Sequence, residues 1–388
     1  MRSRSSAEGQ GPQPAQLPAA TVQTITGINR FAFQLLAKLA KDDGKRNLFV
    51  SPLSIAIAFA LVGHGAEGET RKQILETFGV ADLSKPDMEK AFAFLTSLYN
   101  TAKPGVEWSM ANSLWQAERD PVLPDFVADL QKRYAAESFN LDFNRPDAAE
   151  IINHWVSDKT KGKIDQLVTA TDVAGATLAL LNAVYFKANW QNQFDPTQTS
   201  DQPFTLLDGK TEARPLMRQK ANFAYFEHEL FQAIDLPYVE GSYHMAVILP
   251  RAGSDFAEFQ RRFDTDDWQM VRSQFRSQQV QLTLPRFTIM QHQLLNEPMN
   301  KLGVKKAFNR NAEFPLIGKG LFISKVLHQA TLTVNEEGAE AAAATAIVMS
   351  RSILSAPTEM RVDHPFLCIL HDSTNGTILF AGYIVDPR

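Results

Sequence analysis

NEEGAEAAAATAIVMSRSIL, residues 335–354, is the stretch on which the fold assignment depends. Alanine is the best helix former, so residues 341–344 favour a helix by propensity alone. The run nevertheless follows TLTV (331–334), whose β-branched alternation is typical of a strand, and it lacks the spaced leucines that a core helix would bury. A segment with so little side-chain bulk fits an exposed loop, a frayed helix or a strand in a tight slot. The residue pattern leaves all three conformations open.

The composition predicts a large apolar core and no general attraction to polyanions. The chain has 388 residues, of which 44 % are hydrophobic and 26 are Phe, so a sizeable core can be buried. The net charge of −4 and the isoelectric point of about 6.1 give no reason to expect a nucleic-acid partner. The longest clean apolar run, residues 55–62, is too short to span a bilayer, so no membrane partner is expected.

Helical periodicity dominates the first 160 residues and strand-like patterns dominate the rest. Residues 1–20 are rich in Ser, Gln, Gly, Pro and Ala without an apolar stretch, which predicts a disordered extension over residues 1–22 and no visible signal peptide. No linker-like break or internal repeat follows, so residues 23–388 are expected to form one α+β domain with several sheets. Helices are predicted at 25–41, 51–62, 69–78, 87–101, 124–134, 147–160, near 255–274 and near 293–302, and Ser51 with Pro52 suits the start of the second. Strands are predicted at 107–116, 177–190, 223–226, 244–249, 280–289, 321–334, 366–370 and 378–385. Asn375-Gly376 predicts a hairpin turn between the last two strands.

Signatures of catalysis are missing from the sequence. GxSxG, HExxH, CxxC and Walker sequences do not occur, and GHGAEG (63–68) follows a helical run where a dinucleotide site needs a strand. The eight histidines show no ligand spacing backed by carboxylates, so neither a metal site nor another cofactor is expected. Cys368 is the only cysteine and lies in the apolar run PFLCIL, which predicts a buried structural thiol. The chain is therefore not expected to be an enzyme.

Four motifs, in this order, resemble the serpin family over about residues 25–387. They are NLFVSPLSI (47–55), ALLNAVYFKANW (179–190), HQATLTVNEEGAEAAAAT (328–345) and MRVDHPFLCIL (360–370). The resemblance implies three β-sheets, eight or nine helices and a reactive-centre loop at about residues 337–357. It also implies suicide inhibition: a serine protease attacks the loop, and the cleaved loop inserts into the large sheet while still carrying the acylated protease.

The hinge that this resemblance assigns consists of small residues after an acidic pair: Glu336, Glu337, Gly338, Ala339, Glu340, Ala341, Ala342, Ala343, Ala344 and Thr345. Strand parity places one set of these side chains toward a packed interior, namely Ala339, Ala341, Ala343 and Thr345. Glu340 would remain outward in water. A dozen new ladder hydrogen bonds at ~1 kcal/mol each give on the order of 10 kcal/mol, comparable to the stability of a whole domain. Insertion is therefore expected to be irreversible.

The scissile bond is expected between Arg351 and Ser352. The usual family spacing, seventeen residues counted from Glu336, ends on Ser352, but some members have a hinge shorter by one. Arg351-Ser352-Ile353 resembles the reactive bond of arginine-type inhibitors, whose guanidinium would enter a trypsin-like S1 pocket. Cleavage after Ser352, or between Met349 and Ser350 by an elastase- or subtilisin-like enzyme, stays open.

Further residues are assigned by the same resemblance. Ser51, Ser54, Asn182 and His328 match the shutter cluster beneath the large sheet, and Trp190, Arg286 and Glu336 match the breach where insertion begins. Only Lys90 and Lys103 carry positive charge in residues 87–103, the segment near the family's cofactor-binding helix, so polyanion activation is not expected.

The resemblance favours a monomer with a risk of loop–sheet polymers, and an extracellular or periplasmic location, with an intracellular one still open. The expected partner is a trypsin-like serine protease. Two other functions stay open: a non-inhibitory binding or chaperone protein with the serpin fold, and an inhibitor of cysteine proteases.

Overall fold

Ten α-helices and fourteen strands run through the part of the chain that the computed structural model describes, which is residues 17–119, 122–239, 241–337 and 358–388. The helices are α1 (Ala19–Asp43), α2 (Pro52–His64), α3 (Gly68–Thr77), α4 (Lys85–Asn100), α5 (Pro124–Tyr134), α6 (Ala148–Lys159), α7 (Ala170–Val173), α8 (Phe256–Arg262), α9 (Thr265–Gln274) and α10 (Asn296–Lys301). The strands are β1 (Leu48–Val50), β2 (Val106–Ala117), β3 (Glu137–Leu141), β4 (Leu178–Ala188), β5 (Ser200–Thr205), β6 (Thr211–Glu227), β7 (Phe231–Pro237), β8 (Tyr243–Pro250), β9 (Arg276–Pro285), β10 (Phe287–Leu294), β11 (Lys325–Val334), β12 (Thr358–Arg361), β13 (Phe366–Asp372) and β14 (Ile378–Ile384).

A five-stranded sheet with the order β10-β11-β4-β2-β3 forms one layer. Its central strands β11 and β4 are parallel neighbours, whereas β10 and β2 pair with them antiparallel. Strand β4 is a nearly continuous apolar run and β11 is buried over most of its length, because both faces of the sheet are covered there. On one face the side chains join the main core. On the other face Ala183 and Leu327 pack in a second cluster with Ile152 and Val156 of α6.

Helix α2 is buried all round, as its sequence PLSIAIAFALVGH implies for a helix without a polar face. Ser51 caps its N-terminus by accepting a hydrogen bond from the Ser54 N–H, and Pro52 occupies the first turn. The helix contacts β4, β2 and β14, so it lies between the two sheets. This position brings the start of α2 directly under the β4–β11 junction.

The expected α+β class is confirmed, with differences in the number of elements. Ten α-helices occur among the described residues where eight or nine were implied, and the strands form two connected sheets where three were implied. The reason is β6, whose 17 residues pair with β5, β9 and β7 in turn and so join two strand groups into one nine-stranded sheet.

Several predicted boundaries differ from the structure. Helix α1 begins at Ala19, four residues before the expected domain boundary, and residues 1–16 of the predicted extension lie outside the described residues. The predicted strand 280–289 is two strands, because the chain passes from the larger sheet to the smaller one at Arg286. The sequence reading missed the strands β1, β3, β5, β7 and β12 and most of β6.

Three local predictions are confirmed. GHGAEG connects helices α2 and α3, and β13 and β14 form an antiparallel hairpin with Gly376 at a φ of 81°. Cys368 is buried, and this burial raises the pKa of its thiol to about 12, so it is not poised as a nucleophile. Within the described residues, none of the helices combines the length and hydropathy that a bilayer span would require.

Candidate loop-insertion site

The junction between β4 and β11 is the centre of the candidate site. Eight consecutive residue pairs join these parallel strands, from Lys325 opposite Ala179 to Leu332 opposite Phe186. The chain leaves β11 after Val334 at the same end of the sheet where β4 ends. A segment that turned back at this point would run antiparallel to both strands. The predicted hinge thus begins at the upper end of the β4–β11 junction, meaning the end at which both parallel strands terminate.

The segment that follows β4 holds the chain that leaves β11 through hydrogen bonds to its backbone carbonyls. Trp190 donates its indole Nε1–H to the Asn335 carbonyl at 2.8 Å and its backbone N–H to the Glu337 carbonyl at 3.2 Å. The Phe194 N–H donates to the Glu336 carbonyl at 2.9 Å. The Trp190 ring also stacks on Tyr238, with 4.2 Å between centroids. Backbone carbonyls accept all three bonds, so these three contacts do not depend on which side chains stand at residues 335–337.

Arg286 and Glu336 meet at this exit, as their assignment to one cluster implies. Arg286 Nη1 lies 3.5 Å from Glu336 Oε1, and only 9 % of the Glu336 side chain is exposed whereas half of Arg286 is exposed. The adjacent Glu337 is exposed. Glu336 is therefore the acidic residue whose carboxylate is buried against the sheet.

Glu336→Lys is expected to weaken this exit and to promote loop–sheet polymers. The new ammonium would lie beside Arg286 in a largely buried position, at a cost of about 1–3 kcal/mol after allowance for solvent around Arg286. Native gels after gentle heating would show oligomers from Glu336→Lys and monomer from a Glu337→Lys control. A Glu336→Lys protein that stays monomeric under these conditions would contradict the assigned role.

The structure brings Ser51, Ser54, Asn182 and His328 together in one buried hydrogen-bond network beneath the junction. The Asn182 side-chain oxygen accepts from the Ser54 hydroxyl at 2.7 Å and from His328 Nδ1. The Ser51 hydroxyl donates to the Leu379 carbonyl of β14 at 2.7 Å. Asn182 and His328 are direct cross-strand partners, so the bond between their side chains crosses the β4–β11 junction.

Asn112 on β2 completes this network, and the sequence reading missed it. The Asn182 amide donates to the Asn112 side-chain oxygen at 2.6 Å. The two residues are paired in the antiparallel register of β2 and β4. The available signal was a polar residue in an otherwise buried stretch of the predicted strand 107–116, because a buried amide needs partners.

His328 is neutral in this network, with its proton on Nδ1. The Ser51 N–H donates to His328 Nε2 at 3.1 Å, so Nε2 must carry a lone pair. Nδ1 therefore carries the hydrogen that is donated to Asn182. Complete burial, together with the nearby charge of His292, lowers the pKa of His328 to about 3.

The depressed pKa of His328 predicts a pH-dependent contribution to stability. In the unfolded chain the imidazole takes up a proton below about pH 6.5, whereas in the folded protein it resists protonation down to about pH 3. Its contribution is therefore complete above pH 6.5 and is lost as the pH falls toward 3, by at most about 1.4 kcal/mol per pH unit.

We expect His328→Asn to be less stable than the parent at pH 7.5, with a difference that shrinks as the pH falls. Melting temperatures of both proteins between pH 7.5 and 4 would measure it. A difference that stays constant over this range would show that His328 does not titrate between the folded and unfolded states as the geometry requires.

The remaining predicted residues lie outside the described residues. These are the hinge positions Gly338, Ala339, Glu340, Ala341, Ala342, Ala343, Ala344 and Thr345, and the reactive-bond residues Arg351 and Ser352. Glu336 and Glu337 are the two hinge positions whose placement is described.

Two lysines near the end of α6 are paired with carboxylates. Lys159 pairs with Glu137, and Lys163 lies 3.1 Å from Glu107. These carboxylates would have to be displaced before a polyanion could use the two cations.

Comparison with known proteins agrees with this geometry. The family model described as "Serpin (serine protease inhibitor)" matches residues 26–387. Leukocyte elastase inhibitor from Bos taurus is 33 % identical over 378 residues, which cover 94 % of this chain and 100 % of the relative. Neuroserpin from Mus musculus is 34 % identical over 382 residues, which cover 94 % of this chain and 92 % of the relative.

Solved structures give the same result for the fold. Human thyroxine-binding globulin complexed with its hormone superposes with a TM-score of 0.87 at 27 % identity, covering 95 % of this chain and 100 % of the other. Native protease nexin-1 with heparin superposes with a TM-score of 0.86 at 26 % identity, covering 95 % and 99 %. Leukocyte elastase inhibitor, which is matched over its full length, is a protease inhibitor and not a catalytic enzyme. The chain therefore belongs to the serpin family of serine protease inhibitors.

Proposed function

We propose that this protein is a suicide inhibitor that traps a trypsin-like serine protease as a covalent acyl complex. The observation that carries the proposal is the parallel β4–β11 junction with an alanine-rich hinge sequence starting at its upper end. An inserted strand would replace one parallel pairing by two antiparallel pairings, which are slightly more stable per residue. The small hinge side chains fit the limited space between two covered faces.

The first step is ordinary proteolysis of the loop. The protease serine attacks the Arg351 carbonyl carbon, the bond to Ser352 breaks, and the amine of Ser352 leaves with a proton. Arg351 remains joined to the protease serine as an ester. Water hydrolyses this ester in a normal turnover, so trapping requires that insertion come first.

Insertion then separates the protease from its starting position. The 13 residues 339–351 span roughly 43 Å at about 3.3 Å per residue when extended. The acylated end therefore moves from the exit of β11 toward the opposite end of the five-stranded sheet. The serpin body obstructs the protease there and distorts its active site, which slows deacylation.

Arg351 supports trypsin-like specificity. It is the only charged residue in the stretch 341–358, and a trypsin-like S1 pocket offers a buried carboxylate that a guanidinium satisfies with paired hydrogen bonds. The relatives named as leukocyte elastase inhibitors make elastase a necessary comparison enzyme, because Met349 and Ile353 lie beside the proposed bond.

The test is Arg351→Ala, which is expected to reduce the rate of trypsin capture by roughly 30- to 5,000-fold, because loss of a partner to a buried charge costs about 2–5 kcal/mol. SDS-stable complex formation with trypsin and with elastase measures capture, and Ser350→Ala is the control that should behave as the parent. Mass spectrometry of the released peptide should show residues 352–388. Unchanged trypsin capture by Arg351→Ala, or a peptide beginning at another residue, would overturn the assignment.

A further inference from the structure

Three side chains with metal-binding atoms meet on one face of the nine-stranded sheet: Asp235 on β7, His244 on β8 and His371 on β13. His244 and His371 are direct cross-strand partners. Asp235 pairs with Ala246, two residues along β8 from His244. Because side chains two residues apart on a strand share a face, the register places all three together. The register of the three strands therefore brings these residues together, although no sequence motif connects them.

The distances within this cluster approach those of a metal site. Asp235 Oδ2 lies 2.6 Å from His244 Nδ1, and Asp235 Oδ1 lies 2.9 Å from His371 Nε2. One ligand atom from each residue lies within 4.8 Å of the other two. In a tetrahedral zinc site with bonds of about 2.0–2.2 Å, ligand atoms are separated by roughly 3.3–3.6 Å. Adjustments of about 1 Å in side-chain position would reach that spacing.

The hydrogen bonds of His244 leave its Nδ1 facing the carboxylate. His244 Nε2 lies 3.3 Å from the Gly241 carbonyl, which can only accept, so Nε2 carries a hydrogen. Asp235 also only accepts when ionised. Something positive must therefore lie between His244 Nδ1 and Asp235, and a proton or a metal ion meets that need. A histidine whose second nitrogen donates to a carbonyl is the usual arrangement of a metal ligand.

Burial distinguishes this cluster from a surface ion pair. Asp235 is 6 % exposed and His371 is 3 % exposed, whereas 20 % of the His244 side chain reaches solvent. Trp268 of α9 covers His371, with 5.0 Å between ring centroids. An ion would enter past His244 and meet a carboxylate that is already held by two imidazoles.

The positive charge of Arg272 on α9 would repel a metal ion bound at this cluster. Its charge interacts with Asp235 and Asp372, while burial lowers the pKa of its guanidinium. The guanidinium also lies close to Gly376, where a Cβ would stand 2.4 Å from Nη1. Removal of this charge should favour metal binding, which provides a variant that changes affinity in the opposite direction to loss of a ligand.

We propose that Asp235, His244 and His371 form a three-ligand site for a divalent transition-metal ion such as Zn²⁺, with a fourth position open to water. Two imidazoles and one carboxylate match the ligand preferences of Zn²⁺ and Co²⁺. The bound ion would link β7, β8 and β13. It would therefore stabilise the nine-stranded sheet.

Titration of the intact protein with Co²⁺ and Zn²⁺ tests the proposal. We expect one Co²⁺ per chain with the intense visible bands of tetrahedral coordination, displacement by Zn²⁺, and a higher melting temperature with Zn²⁺. His244→Ala should weaken affinity by at least about tenfold and abolish the thermal shift, and Arg272→Gln should tighten binding. His154→Ala is the matched control, because His154 is 81 % exposed and lies on α6.

Three outcomes would overturn the site. They are a Co²⁺ spectrum of octahedral type only, equal affinity in the parent and His244→Ala, and equal losses in His244→Ala and His154→Ala. Asp235→Asn provides an independent check, because it keeps the shape of the side chain but removes the charge. It should lose metal affinity even where its melting temperature without metal matches that of the parent.

Discussion

Ala341→Arg is expected to convert the protein from an inhibitor into a substrate that trypsin cleaves and then releases. Residue 341 lies on the inward face of the inserted strand by parity. Both faces of the β4–β11 junction are packed, with α2 on one side and α6 on the other. An arginine there must enter a space made for a methyl group and leave its charge unpaired, which costs several kcal/mol. Insertion would become slower than hydrolysis of the ester.

Densitometry of SDS gels gives the fraction of protein in covalent complex and the fraction that is cleaved. We expect the complex to fall below about one tenth of its parental yield, because a barrier raised by 1.4 kcal/mol already slows insertion tenfold. Ala341→Ser is the matched control, because it changes the same position to another small, uncharged side chain, and it should retain most of the complex. Equal complex from Ala341→Arg and the parent would refute the insertion mechanism.

Cleavage of the parent protein at the reactive bond should raise its melting temperature by at least about 10 °C. New ladder hydrogen bonds stabilise the cleaved form by on the order of 10 kcal/mol, and a domain of this size shifts by more than about 1 °C per kcal/mol. Such a gain is unusual, because breaking a peptide bond normally increases the freedom of a chain and lowers stability.

Differential scanning calorimetry of intact and nicked protein measures this shift. Nicked Ala341→Arg is the control, because it has the same broken bond but an obstructed strand, and its melting temperature should rise much less. A nicked parent that melts with the intact protein would mean that the loop does not enter the sheet, whatever complexes form on gels.

The sequence predicted local features best where a short segment determines its own conformation. Ser51 and Pro52 marked the start of α2, and Asn375-Gly376 marked the β13–β14 hairpin. Among the strands that it missed, β3 and β5 have mostly polar or exposed positions, so their hydrophobic signal is weak. Strand β1 has only three residues. The break between β9 and β10 was also missed, because apolar and polar residues alternate on both sides of Arg286.

The candidate site was predictable only as far as its side chains lie in recognisable segments. Ser51, Asn182 and His328 were grouped by family resemblance, and the structure places them in contact. Trp190, in contrast, donates hydrogen bonds to the backbone carbonyls of residues 335 and 337. Such bonds cannot be predicted from the sequence, because every residue has a carbonyl. Asp235, His244 and His371 have no spacing that signals a site, because strand register alone unites them.

The hydrogen bond between His328 and Asn182 has a consequence for the lifetime of the unreacted protein. This bond must break before β4 and β11 part, and its donor and acceptor would then be exposed in an apolar interior for as long as the gap exists. The free energy needed to break this bond therefore adds to the barrier to spontaneous opening. It does not decide which of the two end states has the lower free energy. Changes at these two positions should alter how long a stored sample keeps its potency far more than how strongly a fresh sample inhibits.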